Sequence, residues 1–209
     1  MAITNGYVTL AQVIAEMGTS SITDKDARIE QAINSASRDI DNFAGRRFWQ
    51  DPTVVAREYY ADSWDELLST PTAVLDISTA TGLIVKLDDD DDGTFATTLT
   101  IGTHFVLTPR NAAADSEPFT GIRLVDSLYS IPRSSSGRPG IQVTAKFGFA
   151  SVPAAIEQAC LIQSVLHYKA TDAAMGGLSF GDGAFMRVRG ELNPIAKGLV
   201  SPYSFARVA

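Results

Sequence analysis

Residues 43–60, FAGRRFWQDPTVVAREYY, contain the change of period that decides the fold. Upstream, Ile29, Ile33, Ala36, Ile40 and Phe43 recur three or four positions apart, which lines one face of a helix. Gly45 is placed to end that helix, since glycine enters the left-handed C-cap conformation without a Cβ penalty. Arg46 and Arg47 follow where the helix dipole favours cations. Beyond Pro52 the chain turns β-branched and aromatic. VVAREYY opens a region that reads as strands, with GLIVKL, FATTLTI, HFVL, GIRLVD and GIQVTAKF separated by turn residues up to Gly148. Strands this short and evenly spaced argue for a small sandwich or barrel.

Working outward from that boundary, TLAQVIAEMG predicts a first helix. Thr9 caps it, Gln12 completes a capping box and Gly18 ends it. The second helix takes Thr23 as cap, with Asp24 and Asp26 in its first turn. After the strands, Pro153 suits the start of a third helix, AAIEQACLIQSVLHYKATDAAM, whose apolar residues run round most of its circumference and predict heavy burial. Gly176 and Gly177 stop it. In the remainder Asn193 and Pro194 read as a cap and first residue of a short helix. This tail shows no partner face elsewhere in the chain.

The expected fold is α+β. Residues 1–52 and 149–177 form a discontinuous helical bundle, residues 53–148 an inserted small antiparallel β domain, and residues 178–209 an extended C-terminal arm. The stripe on the second helix is expected to bury against the third near Ile156 and Leu166. The 209 residues are 45% apolar and 20% charged, ordinary for a globular chain. The net charge of −7 disfavours a nucleic-acid grip, which needs a basic face. The inserted region holds 7 basic and 13 acidic residues, and residues 178–209 hold 4 and 2, so the arm alone is basic. Cys160 cannot form an internal disulfide. The N-terminus has no signal-peptide pattern, and no apolar run reaches membrane-spanning length, which points to the cytoplasm or a particle assembled there.

The run LDDDDDGTF, residues 87–95, sets Asp88, Asp90, Asp92 and Gly93 at positions 1, 3, 5 and 6 of a calcium loop. Position 12, where a glutamate should close the loop, is Leu99, and strands flank the run. A solvated hairpin tip turning at Asp92-Gly93, dispensable for folding, is the stronger reading, and no metal or cofactor is expected. His104 falls in a strand and His167 in the third helix. Neither has a nucleophile or acid at triad spacing, and a lone helical histidine is more often structural than catalytic. Cys160 reads as a small buried hydrophobe. No catalytic residue is assigned and the chain is expected not to be an enzyme. The rival class is a β-sandwich binding module for sugar or calcium, with Tyr59, Tyr60 and Trp64 as a possible sugar platform. Core positions for these aromatics are the simpler reading.

Four stretches in order, YVTLAQVIAEMG, IEQAINSASRDIDNFAGRRFW, FGFASVPAAIEQACLIQSVLHYKATDA and GELNPIAKGLVSPY, resemble the head-to-tail connector (adaptor, or head-completion) proteins of long-tailed bacteriophages. The central strands fit the larger members, which carry a β domain between the helices. The resemblance implies a virion structural protein of the neck, assembled in the host cytoplasm. It would form a ring, typically of twelve copies, under the portal protein, joining the capsid to a stopper or tail-side neck protein and passing genomic DNA without reading its sequence. A closed ring follows when a heterologous contact repeats about an axis. The helical bundle would carry ring contacts, with Arg28, Arg38 and Asp39 on the face opposite the apolar stripe meeting the neighbour through charge. The arm would order on docking to the portal. Phe185, Arg187, Val188, Arg189 and Leu192 are its candidates for strand addition to a sheet edge, and Tyr203 and Phe205 its anchoring pair. A chain ending at Gly177 is expected to stay folded.

Overall fold

The computed structural model describes residues 2–18, 25–60, 63, 65–68, 73–132, 137–172, 177–179, 185–187 and 191–205. The chain divides into two compact units, one of Met1–Trp49 with Val152–Ala209 and the other of Gln50–Ser151. It is an α+β fold with a small antiparallel β unit.

The helical unit contains α1 (Leu10–Glu16), α2 (Asp26–Ala44), α3 (Ala154–Asp172) and α4 (Pro194–Val200). Thr9 caps α1 and closes the capping box with Gln12. Helix α2 ends where Gly45 takes φ +69° and donates to Asp41 O. Its start is at Asp26 with Lys25 as cap, and Thr23 lies outside the described residues. Ile29, Ile33, Ala36, Ile40 and Ala44 of α2 are fully buried, and α2 packs chiefly on α3, which buries Ile156, Ala159, Cys160, Gln163, Ser164 and Tyr168. Each large aliphatic side chain so buried contributes roughly 1.5–3 kcal/mol. Two expectations fail in detail. Leu166 is half-buried, and Phe43 leaves the stripe to lie 5.4 Å beneath Lys197 Nζ of α4, because it sits on the flank that α4 covers.

A strap formed by the first residues runs along α2. Thr4 N donates to Asn34 Oδ1 at 2.9 Å, Tyr7 N to Ser37 Oγ at 3.2 Å, and Arg38 Nη2 to Asn5 O at 2.9 Å. The close approach requires glycine at position 6, where a Cβ would stand 3.0 Å from Ile33 Cγ2 and closer still to Ile3.

Among the described residues the second unit holds seven strands. A four-stranded antiparallel sheet has the order β1 (Val55–Tyr59), β7 (Ile141–Ala145), β3 (Ile84–Leu87), β4 (Thr97–Leu99). A three-stranded sheet has the order β2 (Glu66–Leu68), β6 (Gly121–Leu124), β5 (Phe105–Thr108). Alternate side chains of both sheets, Val85, Leu87, Ile141 and Val143 from one and Phe105, Leu107 and Ile122 from the other, meet in one core. Ile77 joins the sheets, bridging to Phe119 and to Phe147. Strand β2 was not expected. Three residues are too few to show a period, and pairing with β6 is what extends them.

Candidate functional site

On the α2–α3 face, Asp39, Gln163 and His167 form a polar cluster. His167 Nε2 lies 2.6 Å from Asp39 Oδ2, and Gln163 Nε2 donates to the same oxygen at 3.3 Å. A carboxylate only accepts, so Nε2 carries the imidazole proton. The amide oxygen of Gln163 accepts from Asn193 N at 3.0 Å, which ties in the cap of α4. Beside this cluster Arg28 stands 5.5 Å over the Tyr168 ring. Arg28, Gln31, Ala32, Ser35 and His167 line a shallow groove. A second cleft, lined by Asp39, Asn42, Phe43, Glu191, Leu192 and Lys197, opens between α2 and the approach to α4.

These positions correct the expectation that Arg28, Arg38 and Asp39 share the face opposite the stripe. At 100° per residue, Arg28 and Asp39 fall on the flank toward α3, while Arg38 does fall opposite the stripe, from where its guanidinium reaches the strap. Gln163 and Asn193 were missed as partners. The signals present were the four-residue spacing of Gln163 and His167 and the Asn-Pro cap, but neither says that Asp39 is near.

Arg38, itself half-exposed, caps a partly buried group. Its Nη2 lies 3.1 Å from Asp41 Oδ2, and its guanidinium stands 6.0 Å from the Tyr7 centroid. The Tyr7 hydroxyl donates to Asp41 Oδ1 and accepts from Phe48 N at 2.9 Å. Burial pushes the Asp41 carboxyl up to about 6, against the lowering effects of the Tyr7 hydrogen bond, Arg38 and Arg47. Burial, reinforced by the Asp41 charge, pushes the Tyr7 phenol well above its ordinary value. Cys160 lies 3.4 Å from Ser37 Oγ, and burial raises its thiol too.

The tail has a partner face within its own chain, contrary to expectation. Ala196 and Val200 of α4 are fully buried. Tyr203, in the 3-10 turn that follows, meets Phe48 edge-on at 5.9 Å. Phe205 N donates to Ala44 O at 3.0 Å, and Arg46 covers the Phe205 ring at 4.7 Å. Aromatic packing at the C-terminal end of α2 holds this segment on its own chain, so it does not extend away as an arm. Leu192 lines the cleft beside Phe43. Phe185 and Arg187 belong to β9 (Phe185–Arg187), which pairs with β8 (Gly177–Ser179) as an antiparallel hairpin of its own. Val188 and Arg189 lie outside the described residues.

In the β unit, the aspartate run does sit between paired strands β3 and β4. Its first residue is not solvated. Asp88 is 1% exposed, and its carboxylate accepts from Asp92 N at 3.2 Å and Gly93 N at 2.9 Å. Arg138 Nη1 donates to Asp91 O at 3.2 Å. The carboxylates of Asp88, Asp90 and Asp92 come within 4.8 Å of one another. Leu99, at the closing position of the calcium pattern, is buried in the core and offers no side-chain oxygen. Tyr59 is a core residue, but Tyr60 is 63% exposed, since strand alternation turns it outward, and its hydroxyl donates to Gly137 O at 3.0 Å. Trp64 lies outside the described residues. His104 Nδ1 accepts from Thr100 N at 3.0 Å, a role in the turn before β5.

No protein-family model matches this chain, and no curated protein matches it. Solved structures do share its fold. One is a chain from the neck of an empty gene transfer agent particle, computed with C6 symmetry, at TM-score 0.56 and 14% identity over 100% of this chain and 95% of that one. Another is a chain from the virion of a native gene transfer agent particle, at TM-score 0.53 and 17% identity over 100% and 95%.

Proposed function

We propose that this chain is a structural protein of the neck of a phage-like particle, a head-to-tail adaptor that forms a ring beneath the portal. The observation that carries the reading is likeness over the whole chain, both units included, to a chain of an assembled neck. Six-fold symmetry in that neck suits a closed ring, and twelve copies is the number proposed here. The portal would lie above, a stopper or other tail-side neck protein below, and DNA would pass through the channel. The net charge of −7 suits a wall along which a polyanion slides without being gripped.

The internal anchoring of α4 changes which part of the arm meets the portal. Both ends of the α3–α4 connection are fixed on one helical unit, so the element offered to the portal is the β8–β9 hairpin with its flanks, and the residues for that contact are Phe185, Arg187, Val188 and Arg189. The test replaces residues 177–190 by a Gly-Ser linker of equal length and asks whether the protein still joins portal-bearing capsids. The expected result is a folded protein that fails to join. Normal incorporation would remove the hairpin from the contact.

A further inference from the structure

Strand β1 is an edge of the four-stranded sheet, and the phase of the ladder shows what that edge presents. Asp88 N donates to Gly140 O, so Gly140, Gln142 and Thr144 turn their main chain to β3, while Ile141, Val143 and Ala145 turn theirs to β1. Val55, Arg57 and Tyr59 therefore bond β7, and the N–H and C=O of Ala56 and Glu58 point away from the sheet. Among the described residues no strand pairs with that side. The other edges are blunted. Strands β2 and β4 are three residues long, and the ends of β4 are occupied, Ala96 N by Thr94 O and Thr100 N by His104 Nδ1. On β5, Gly102 N takes up Phe105 O at 2.7 Å, and Pro109 follows without an N–H. Strand β1 has no such guard: it carries no lysine and no proline, and Arg57 is held by Asp51 at 3.1 Å. Its margin is apolar. Ala56 and Ile84 are exposed in one row across the sheet with Thr144 between them, and Val54 and Val55 are 47% and 40% exposed. An open edge of this kind is a template for an added strand.

We propose that, in the ring, the β8–β9 hairpin of one copy adds to the open β1 edge of the next, extending its sheet from four strands to six. The hairpin is the matching unfinished element, since two strands by themselves are marginal in water and a third completes them. Charge agrees with the pairing. Residues 178–209 hold 4 basic and 2 acidic side chains, net +2, against 7 and 13, net −6, for residues 53–148. Arg187 lies in β9, and Glu58 is exposed on β1, within 3.4 Å of Gln142 Nε2. Main-chain bonds supply the attachment, and the charges set register. Edge bonds use main chain alone, so the pairing leaves the hairpin side chains for the portal contact proposed above. The contact is heterologous, edge to hairpin, so each copy gives one and receives one, which is the arrangement that closes a ring. The inference rests on the ring reading above.

The test blocks the edge and reads rings of the full chain by sedimentation and negative-stain microscopy, alone and on capsids. Ala56→Pro removes an outward N–H and no bond to β7, and Ala56→Lys guards the edge with charge while keeping every N–H. Each is expected to weaken ring formation by about tenfold or more and to leave the melting temperature of the free chain near that of wild type. Thr98→Pro, the same change on the opposite edge of the sheet, is expected to keep the rings. A second measurement identifies the occupant. Ala56→Cys chains mixed with Met186→Cys chains are expected to give the mixed disulfide on oxidation. Rings that survive both Ala56 variants, or that Thr98→Pro abolishes equally, overturn the contact and leave the ring standing. Disulfides formed only between two Ala56→Cys chains overturn the hairpin as occupant in favour of edge-to-edge pairing. A wild-type chain that never forms rings, alone or on capsids, overturns the ring reading and the contact together.

Discussion

Asn193 donates its backbone N–H to the side-chain oxygen of Gln163, thirty residues earlier, at 3.0 Å. Through this bond α3 receives α4, and the last turn beyond α4 reaches Phe48 through Tyr203. The C-terminal segment is therefore part of the helical core. A chain ending at Gly177 loses the buried Ala196 and Val200 and uncovers Phe48 and Ala44. It is expected to show a much lower helical melting temperature, or no cooperative transition, by far-UV circular dichroism. A truncated chain that melts like the full protein would show that α4 adds nothing to the core.

The Asp41 carboxyl predicts a pH effect of defined sign. Its pKa is about 6 in the folded unit against an ordinary 3.8, so between those values the folded state holds a proton that the unfolded chain has released. Stability from this group is full below the unfolded value and falls as pH rises through about 6. Asp41→Asn removes this dependence. The stability difference between wild type and variant should shift against the wild type by on the order of 3 kcal/mol across the window. Urea unfolding followed at 222 nm at several pH values reads it, and a difference that stays flat would place Asp41 in a solvated state.

How much of this was legible beforehand depends on range. Thr9 with Gln12, Gly45, Pro52 and Asn193-Pro194 act within a few residues, and each capping or boundary device they suggested is present or lies at the change of structure. The core alternation of β3 and β7 was readable because one face of each strand is wholly apolar. Contacts across the chain were not readable. Asp39 and His167 lie 128 residues apart, and no local pattern pairs them. The PIAKGLV helix shows Ala196 and Val200 at a four-residue step, yet nothing in the sequence says that α2 and α3 leave a place for them. Asp88 looked like its neighbours in a charged run. Its burial comes from where β3 ends beside Gly140, whose carbonyl accepts from Asp88 N at 3.1 Å.

That difference between Asp88 and its neighbours is testable. Asp88→Ala leaves two backbone N–H groups without their acceptor and should cost about 2 kcal/mol. Asp90→Ala, at an exposed site, should stay within about 0.5 kcal/mol of wild type. Urea midpoints separate the two, and equal losses would mean that Asp88 does not hold the loop. Calcium should leave the wild-type melting temperature unchanged, since Leu99 closes the pattern without a side-chain carboxylate. A rise of more than a few degrees would reveal an ion bound to the native state.

Two glycine-to-alanine changes should move stability in opposite directions. Gly140 precedes β7, the strand that pairs with both β1 and β3 and buries Ile141, Val143 and Ala145. A Cβ at Gly140 would stand 2.2 Å from Pro132 O, and a backbone oxygen cannot swing aside as a flexible side chain can. Either Pro132 shifts or the start of β7 does, so Gly140→Ala should cost about 1–3 kcal/mol, as overpacking does. Gly198 lies on the exposed side of α4 with nothing within 4 Å of the added carbon. There alanine meets no obstacle and removes unfolded-state freedom, so Gly198→Ala should stabilise by about 0.5–1 kcal/mol. Thermal melts of the two single variants beside wild type measure both signs. A neutral Gly140→Ala would mean that the Pro132 segment yields freely, and a destabilising Gly198→Ala would mean that α4 does not hold its helical turn at that residue.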